Sequence, residues 1–136
     1  MKAILACFVC IVSIVFVQGK LQRVSAKGRL MCGNVPAKNI DIKLIDQDIG
    51  VDDLMSETKT NSDGRFILQG QTSEATTIDP FLKIYHRCNC RKICRRLLKM
   101  KIPSSYIASG DKRPTTIDIG TLNLEVEFHK DQRHCF

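Results

Sequence analysis

Ile40-Asp41-Ile42-Lys43-Leu44 places an apolar side chain at every second position and a charge between each pair. Successive side chains of an extended chain point to opposite faces, so such a stretch buries one face and wets the other. The same two-residue period returns at Phe66 and Leu68, at Leu98, Met100 and Ile102, and at Leu122, Leu124, Val126 and Phe128. Phe81-Leu82-Lys83-Ile84-Tyr85 is apolar on both faces and reads as a central strand. Turn signals separate the runs: Gly33-Asn34 with Pro36, Asn61-Ser62-Asp63-Gly64, Asp79-Pro80, Pro103-Ser104-Ser105, and Gly110 with Pro114. Gly120 interrupts an alternating run and marks a bulge or bend. The expectation is an all-β antiparallel sandwich of about seven short strands. One helical stretch of one or two turns at most is expected over 91–98.

The chain has 136 residues, a net charge of +7 and seven cysteines. That length excludes a large multidomain enzyme, and 43% hydrophobic content excludes disorder. Residues 1–19, MKAILACFVCIVSIVFVQG, carry one charge, Lys2, then an apolar run of about fifteen residues. Val17 and Gly19 stand at the −3 and −1 positions of a cut before Lys20. This is the pattern of a secretory signal peptide, and the run is shorter than the roughly 20 residues that span a bilayer. The mature domain is then 20–136, with a charge of +6 and five cysteines: Cys32, Cys88, Cys90, Cys94 and Cys135. No retention tetrapeptide, lipid-anchor tail or Asn-x-Ser/Thr acceptor is present, so the expected destination is extracellular. Cysteines there are disulfides first. Five cysteines leave one unpaired in a two-bridge pattern and leave the pairing open.

The ordered set Gly28-Arg29-Leu30-Met31-Cys32-Gly33, Pro36-Ala37, Asp52-Asp53-Leu54-Met55, Thr60-Asn61-Ser62-Asp63-Gly64-Arg65-Phe66, Ile78-Asp79-Pro80-Phe81-Leu82-Lys83-Ile84-Tyr85-His86-Arg87-Cys88, Lys101-Ile102-Pro103-Ser104-Ser105-Tyr106 and Asp118-Ile119-Gly120-Thr121-Leu122-Asn123-Leu124 resembles the nematode transthyretin-like family. The likeness covers nearly all of the mature chain. It implies a transthyretin-type sandwich, a secreted location, and extracellular binding or signalling through surface loops, with no cofactor. The topology it implies brings Cys32 and Cys88 to one end of the sandwich, and so predicts a Cys32–Cys88 bridge. Cys94–Cys135 follows, with Cys90 the free thiol.

Enzymes that resemble transthyretin hydrolyse 5-hydroxyisourate and end in Tyr-Arg-Gly-Ser. This chain ends Arg133-His134-Cys135-Phe136, and its histidines are His86, His129 and His134. No catalytic residue is therefore assigned. Cys88-x-Cys90-x₃-Cys94 with His86 has four zinc-type ligands, but the two separated pairs usual for zinc are missing, and no metal is assigned. Asp46-x-Asp48-x-Gly50-x-Asp52-Asp53 with Glu57 resembles a calcium loop in outline. Its glycine is at the fifth place rather than the sixth and no helices flank it, so it reads as a solvated acidic loop.

The segment 87–101 holds Arg87, Arg91, Lys92, Arg95, Arg96, Lys99 and Lys101 and no acid. Local charge of this density raises the surface potential that holds anions. The expected partner is an extracellular or cell-surface protein. The alternative is an anionic phospholipid surface or sulfated glycan bound through these seven residues, and self-association is compatible with both. Nucleic acid is not an expected partner outside the cell. Reversing Arg95 and Arg96 to Glu is expected to abolish anion binding with the fold intact.

Overall fold

Alternation at 40–44 becomes β3 (Asp41–Asp46), in which Ile42 and Leu44 are fully buried. The computed structural model describes residues 19–90, 94–126 and 132–135, the last two of these by backbone alone. The proposed signal segment lies outside the described residues up to position 18, and β1 (Lys20–Cys32) begins at the residue after the expected cut. The other strands are β2 (Val35–Pro36), β4 (Asp53–Lys59), β5 (Arg65–Glu74), β6 (Pro80–His86), β7 (Cys94–Lys101), β8 (Ala108–Ser109), β9 (Ile117–Asn123) and β10 (Gln132–Cys135).

They form two five-stranded sheets. In the first, the long β1 pairs antiparallel with β5, β2 and β8, and parallel with β9. The second has the order β10-β7-β6-β3-β4, antiparallel throughout, with β6 in the middle as its two-sided apolar sequence requires. Val24, Ala26 and Leu30 of β1 and Phe66 and Leu68 of β5 meet Ile42, Leu44, Leu82, Ile84 and Leu98 of the opposite sheet. Each large side chain removed from water here contributes roughly 1.5–3 kcal/mol. The fold is the all-β sandwich that the pattern predicts.

Two local expectations are corrected. The alternating stretch expected over 122–128 is broken: β9 ends at Asn123 and the chain turns at 124–126, while residues 127–128 lie outside the described residues. Asn123 causes this, because its Oδ1 accepts from Glu125 N (3.1 Å) and Gly33 N (3.0 Å) while its Nδ2 donates to Gly33 O (3.2 Å). A side-chain amide that bonds its own backbone two residues on makes a turn rather than a ladder. The helix expected over 91–98 is strand in its described part, because Arg96, Leu97 and Leu98 pair with His86, Tyr85 and Ile84 of β6; residues 91–93 lie outside the described residues. The single helical turn among the described residues is a 3₁₀ turn at Ser104–Tyr106.

The bulge at Gly120 is present. Lys27 pairs with Asp118 and Arg29 with Thr121, so three steps on β9 face two on β1, and Gly120 takes φ +73°.

Candidate functional site

Odd-numbered residues of β3, β6 and β7 face away from the core, and the register brings Lys43, Lys83 and Lys99 side by side on adjacent strands. Like charges directly opposite one another are unfavourable, and each lysine has a compensating contact. Lys83 Nζ lies 2.8 Å from Asp52 Oδ2, Lys99 Nζ donates to Gln47 Oε1 (2.6 Å), and Lys43 pairs across the ladder with Glu57. Two rings lie between the cations. The Arg95 guanidinium is 4.4 Å and Lys43 Nζ 5.5 Å from the centre of the Tyr85 ring, and Lys99 Nζ is 4.3 Å from that of Phe81. A shallow depression of about 280 Å³ opens on this face, lined by Asp41, Lys43, Glu57 and Lys59.

The seven basic residues of 87–101 divide between different environments. Lys99 and Lys101 share the outward face, as their alternation predicts, but Lys101 pairs with Asp79 (3.1 Å) and Arg95 lies 3.8 Å from Asp41. Arg96 points inward, is 6% exposed, and donates to Leu124 O (3.2 Å) and Val126 O (3.3 Å). Arg87 is exposed just beyond β6; Arg91 and Lys92 lie outside the described residues. The expectation that Arg95 and Arg96 can be reversed without harm to the fold is therefore wrong for Arg96.

On the first sheet Arg29 stands directly opposite Arg65. With Lys27 and Asp118 they line a second depression of about 280 Å³. The separation of 36 positions between Arg29 and Arg65 conceals this pair in the sequence; only the register shows it.

Cys32 and Cys88 are bonded, with 5.7 Å between their Cα atoms and a sequence separation of 56, as predicted. Cys88 therefore has no thiolate to give a metal. Cys94 is disulfide-bonded, and its ladder partner is Cys135, whose side chain lies outside the described residues. Cys90 is a free, half-buried thiol. His86 is buried, and its Nδ1 accepts from Cys88 N (3.2 Å), the role of a residue that fixes a strand end. His129 and the side chain of His134 lie outside the described residues.

At one end of the sandwich the β3–β4 loop carries three exposed apolar side chains: Ile49 is fully exposed, Val51 is 80% exposed and Leu54 at the start of β4 is 54% exposed. At the base of that loop Asp46, Asp48, Asp53 and Glu74 bring one carboxylate oxygen each within 4.8 Å of the others. Contact with the Asp46 carboxyl, then burial, then the charges of Asp46, Asp48 and Asp53 push Glu74 up to about 7. Asp48 is also raised, first by its contact with Asp53. Two members of the acidic motif seen in the sequence are used elsewhere: Asp52 pairs with Lys83, and Glu57 faces outward opposite Lys43. Glu74, which completes the cluster, is absent from that motif.

Two five-stranded sheets around one core, bridged from the end of β1 to the end of β6, define a transthyretin-type sandwich that presents its loops at the ends. The model of the transthyretin-like family matches residues 27–103. Transthyretin-like protein 46 of Caenorhabditis elegans is 47% identical over 116 residues, a match covering 82% of this chain and 65% of that protein. Transthyretin-like protein 33 of the same organism is 45% identical over 117 residues (84% of this chain, 82% of that protein), and transthyretin-like protein 5 is 41% identical over 120 residues (86% of each). The chain belongs to the transthyretin-like family.

Proposed function

We propose that this chain is a secreted, non-enzymatic binding protein that docks an extracellular or cell-surface protein through its loops. The observation that carries this reading is the apolar tip of the β3–β4 loop. Ile49 and Val51 bury nothing of their own fold, and apolar side chains clustered on a loop are the usual anchors of a protein interface. Secretion is supported by the signal-peptide pattern of residues 1–19 and by the Cys32–Cys88 bridge, which belongs to an oxidising compartment. The non-enzymatic reading is supported by Cys88 being held in a disulfide and His86 in a backbone hydrogen bond, so neither is available as nucleophile or base.

The test is capture from extracellular fluid by the wild-type protein and by an Ile49→Asp/Val51→Asp variant. A partner retained by the wild type is expected to bind the variant at least tenfold more weakly, with the melting temperature unchanged, because these side chains make no core contact. Equal capture by both proteins removes the loop tip from the interaction.

A second reading is favoured by the row Lys43, Lys83 and Lys99: this face, with Arg87, Arg95 and Lys101, binds an anionic phospholipid surface or sulfated glycan. Binding to anionic vesicles or heparin is then expected at low salt, to weaken steeply above physiological salt, and to fall at least tenfold in an Arg87→Glu/Lys99→Glu variant. Equal binding to neutral vesicles rules this reading out.

A further inference from the structure

The alternation of β3 buries Ile42, Leu44 and then Asp46, which is 1% exposed. The inward series of β5 runs Phe66, Leu68, Gly70 and Thr72 and ends at Glu74. The two sheets therefore close their shared interior at this end with a carboxylate from each. Asp53 of β4 stands opposite Asp46 in the ladder, and Asp48 joins them from the loop. Asp46 Oδ1 accepts from Asp79 N (2.8 Å), Asp46 Oδ2 is buried with no hydrogen-bond donor, and one oxygen of this carboxylate belongs to the cluster. Among the described residues, none of the four carboxylates has an ion-pair partner; the nearby acids Asp52 and Asp79 are taken by Lys83 and Lys101. A buried carboxylate oxygen without a donor, beside three like charges, is stabilised by a positive occupant, a cation or a proton shared with Glu74.

We propose that Asp46, Asp48, Asp53 and Glu74 form a binding site for a divalent cation of the calcium class, which ties the base of the β3–β4 loop to both sheets. All four ligands are carboxylates, the hard donors that calcium takes; zinc prefers the imidazole and thiolate groups absent from this cluster. Two oxygens on opposite sides of one calcium ion sit about 4.8 Å apart, the span over which these four converge. Magnesium needs a stricter octahedron and keeps more of its water. Backbone carbonyls of the loop and water complete the usual six to eight ligands. An affinity of about 0.1–1 mM, typical of extracellular modules, suffices where calcium is millimolar.

The experiment is thermal unfolding and calorimetric titration of the purified protein expressed from the full chain, with EDTA, with CaCl₂ and with MgCl₂, at pH 8. It needs no docking partner, so its failure leaves the loop-docking reading standing, and the reverse. At pH 8, 10 mM CaCl₂ is expected to raise the melting temperature by roughly 5–10 °C, with one ion bound per chain and a much smaller response to magnesium. Glu74→Gln and Asp48→Asn each raise the melting temperature of the calcium-free protein at pH 8, which shows that they fold, and weaken calcium at least tenfold. No calcium response at pH 8, or an undiminished response in Glu74→Gln, overturns the site.

Discussion

Replacing Cys32 and Cys88 together by serine is expected to lower the unfolding free energy by about 4 kcal/mol, the largest loss available from one covalent link in this fold. The bridge closes a loop of 56 residues, and in the chain-entropy model the stabilisation grows with the logarithm of that length. It joins the end of β1 in the first sheet to the residue two beyond β6 at the middle of the second, so it clamps the two layers at one end. Cys88 is only 8% exposed and packs with the core, so serine there also buries a hydroxyl. For a domain of about 117 residues the loss corresponds to a fall in melting temperature of roughly 15 °C. Both cysteines are changed together, because either single change leaves an unpaired thiol, Cys32 or Cys88, that can attack the disulfide of Cys94 and reshuffle it. Reduction of the wild type is not an equivalent test, since Cys94 is bridged as well. Thermal unfolding of the double variant checks the expectation, and a loss below 1 kcal/mol would show that the bridge constrains little.

The strands whose inward positions are uniformly apolar were legible in the sequence. Ile42 and Leu44, Leu82 and Ile84, and Leu98 announce β3, β6 and β7 by their two-residue period, and all five are buried. The longest strand, β1, shows no such signal, because two of its inward positions carry Gln22 and Gly28. Gln22 is buried to serve backbone: its Nε2 donates to Thr76 O (2.8 Å) and its Oε1 accepts from Ile78 N (3.0 Å). Gly28 is required because a Cβ there would overlap Ile119 and crowd Phe66. In β4 the period is broken by an extra residue at Met55, where Leu44 pairs with Ser56 but Ile45 with Leu54. A bulge of this kind moves one side chain to the other face and defeats a count by twos. The same reasoning separates what could be read of the candidate sites. Asp46, Asp48 and Asp53 are close in sequence and were seen as a group. Glu74 joins them from the opposite sheet, 21 residues after Asp53, and no spacing rule reaches it. The basic stretch 87–101 was seen as one feature because sequence gives density but not direction, and only the strand register shows that Arg96 faces inward while Lys99 faces out.

That difference in direction sets the second large expected effect. Arg96→Glu is expected to cost about 3–5 kcal/mol, whereas Lys99→Glu stays within about 1 kcal/mol of the wild type. The Arg96 guanidinium is nearly enclosed and satisfies the carbonyls of Leu124 and Val126, which end the turn after β9. Removing it strands two acceptors, and glutamate then aims a buried negative charge at them. Leu124 itself is fully buried, so the loss spreads from a hydrogen bond to the core beneath. Lys99 sits on the outward face, with its stem over Phe81 and its ammonium on Gln47, and a carboxylate in its place remains solvated. Denaturant unfolding followed by circular dichroism separates the two, because neither change alters the strand content of a protein that folds. A midpoint for Arg96→Glu equal to that of the wild type would place this side chain at the surface and return it to the anion-binding face. The expected result instead makes Lys99→Glu, alone or with Arg87→Glu, the variant that changes surface charge while leaving the sandwich intact.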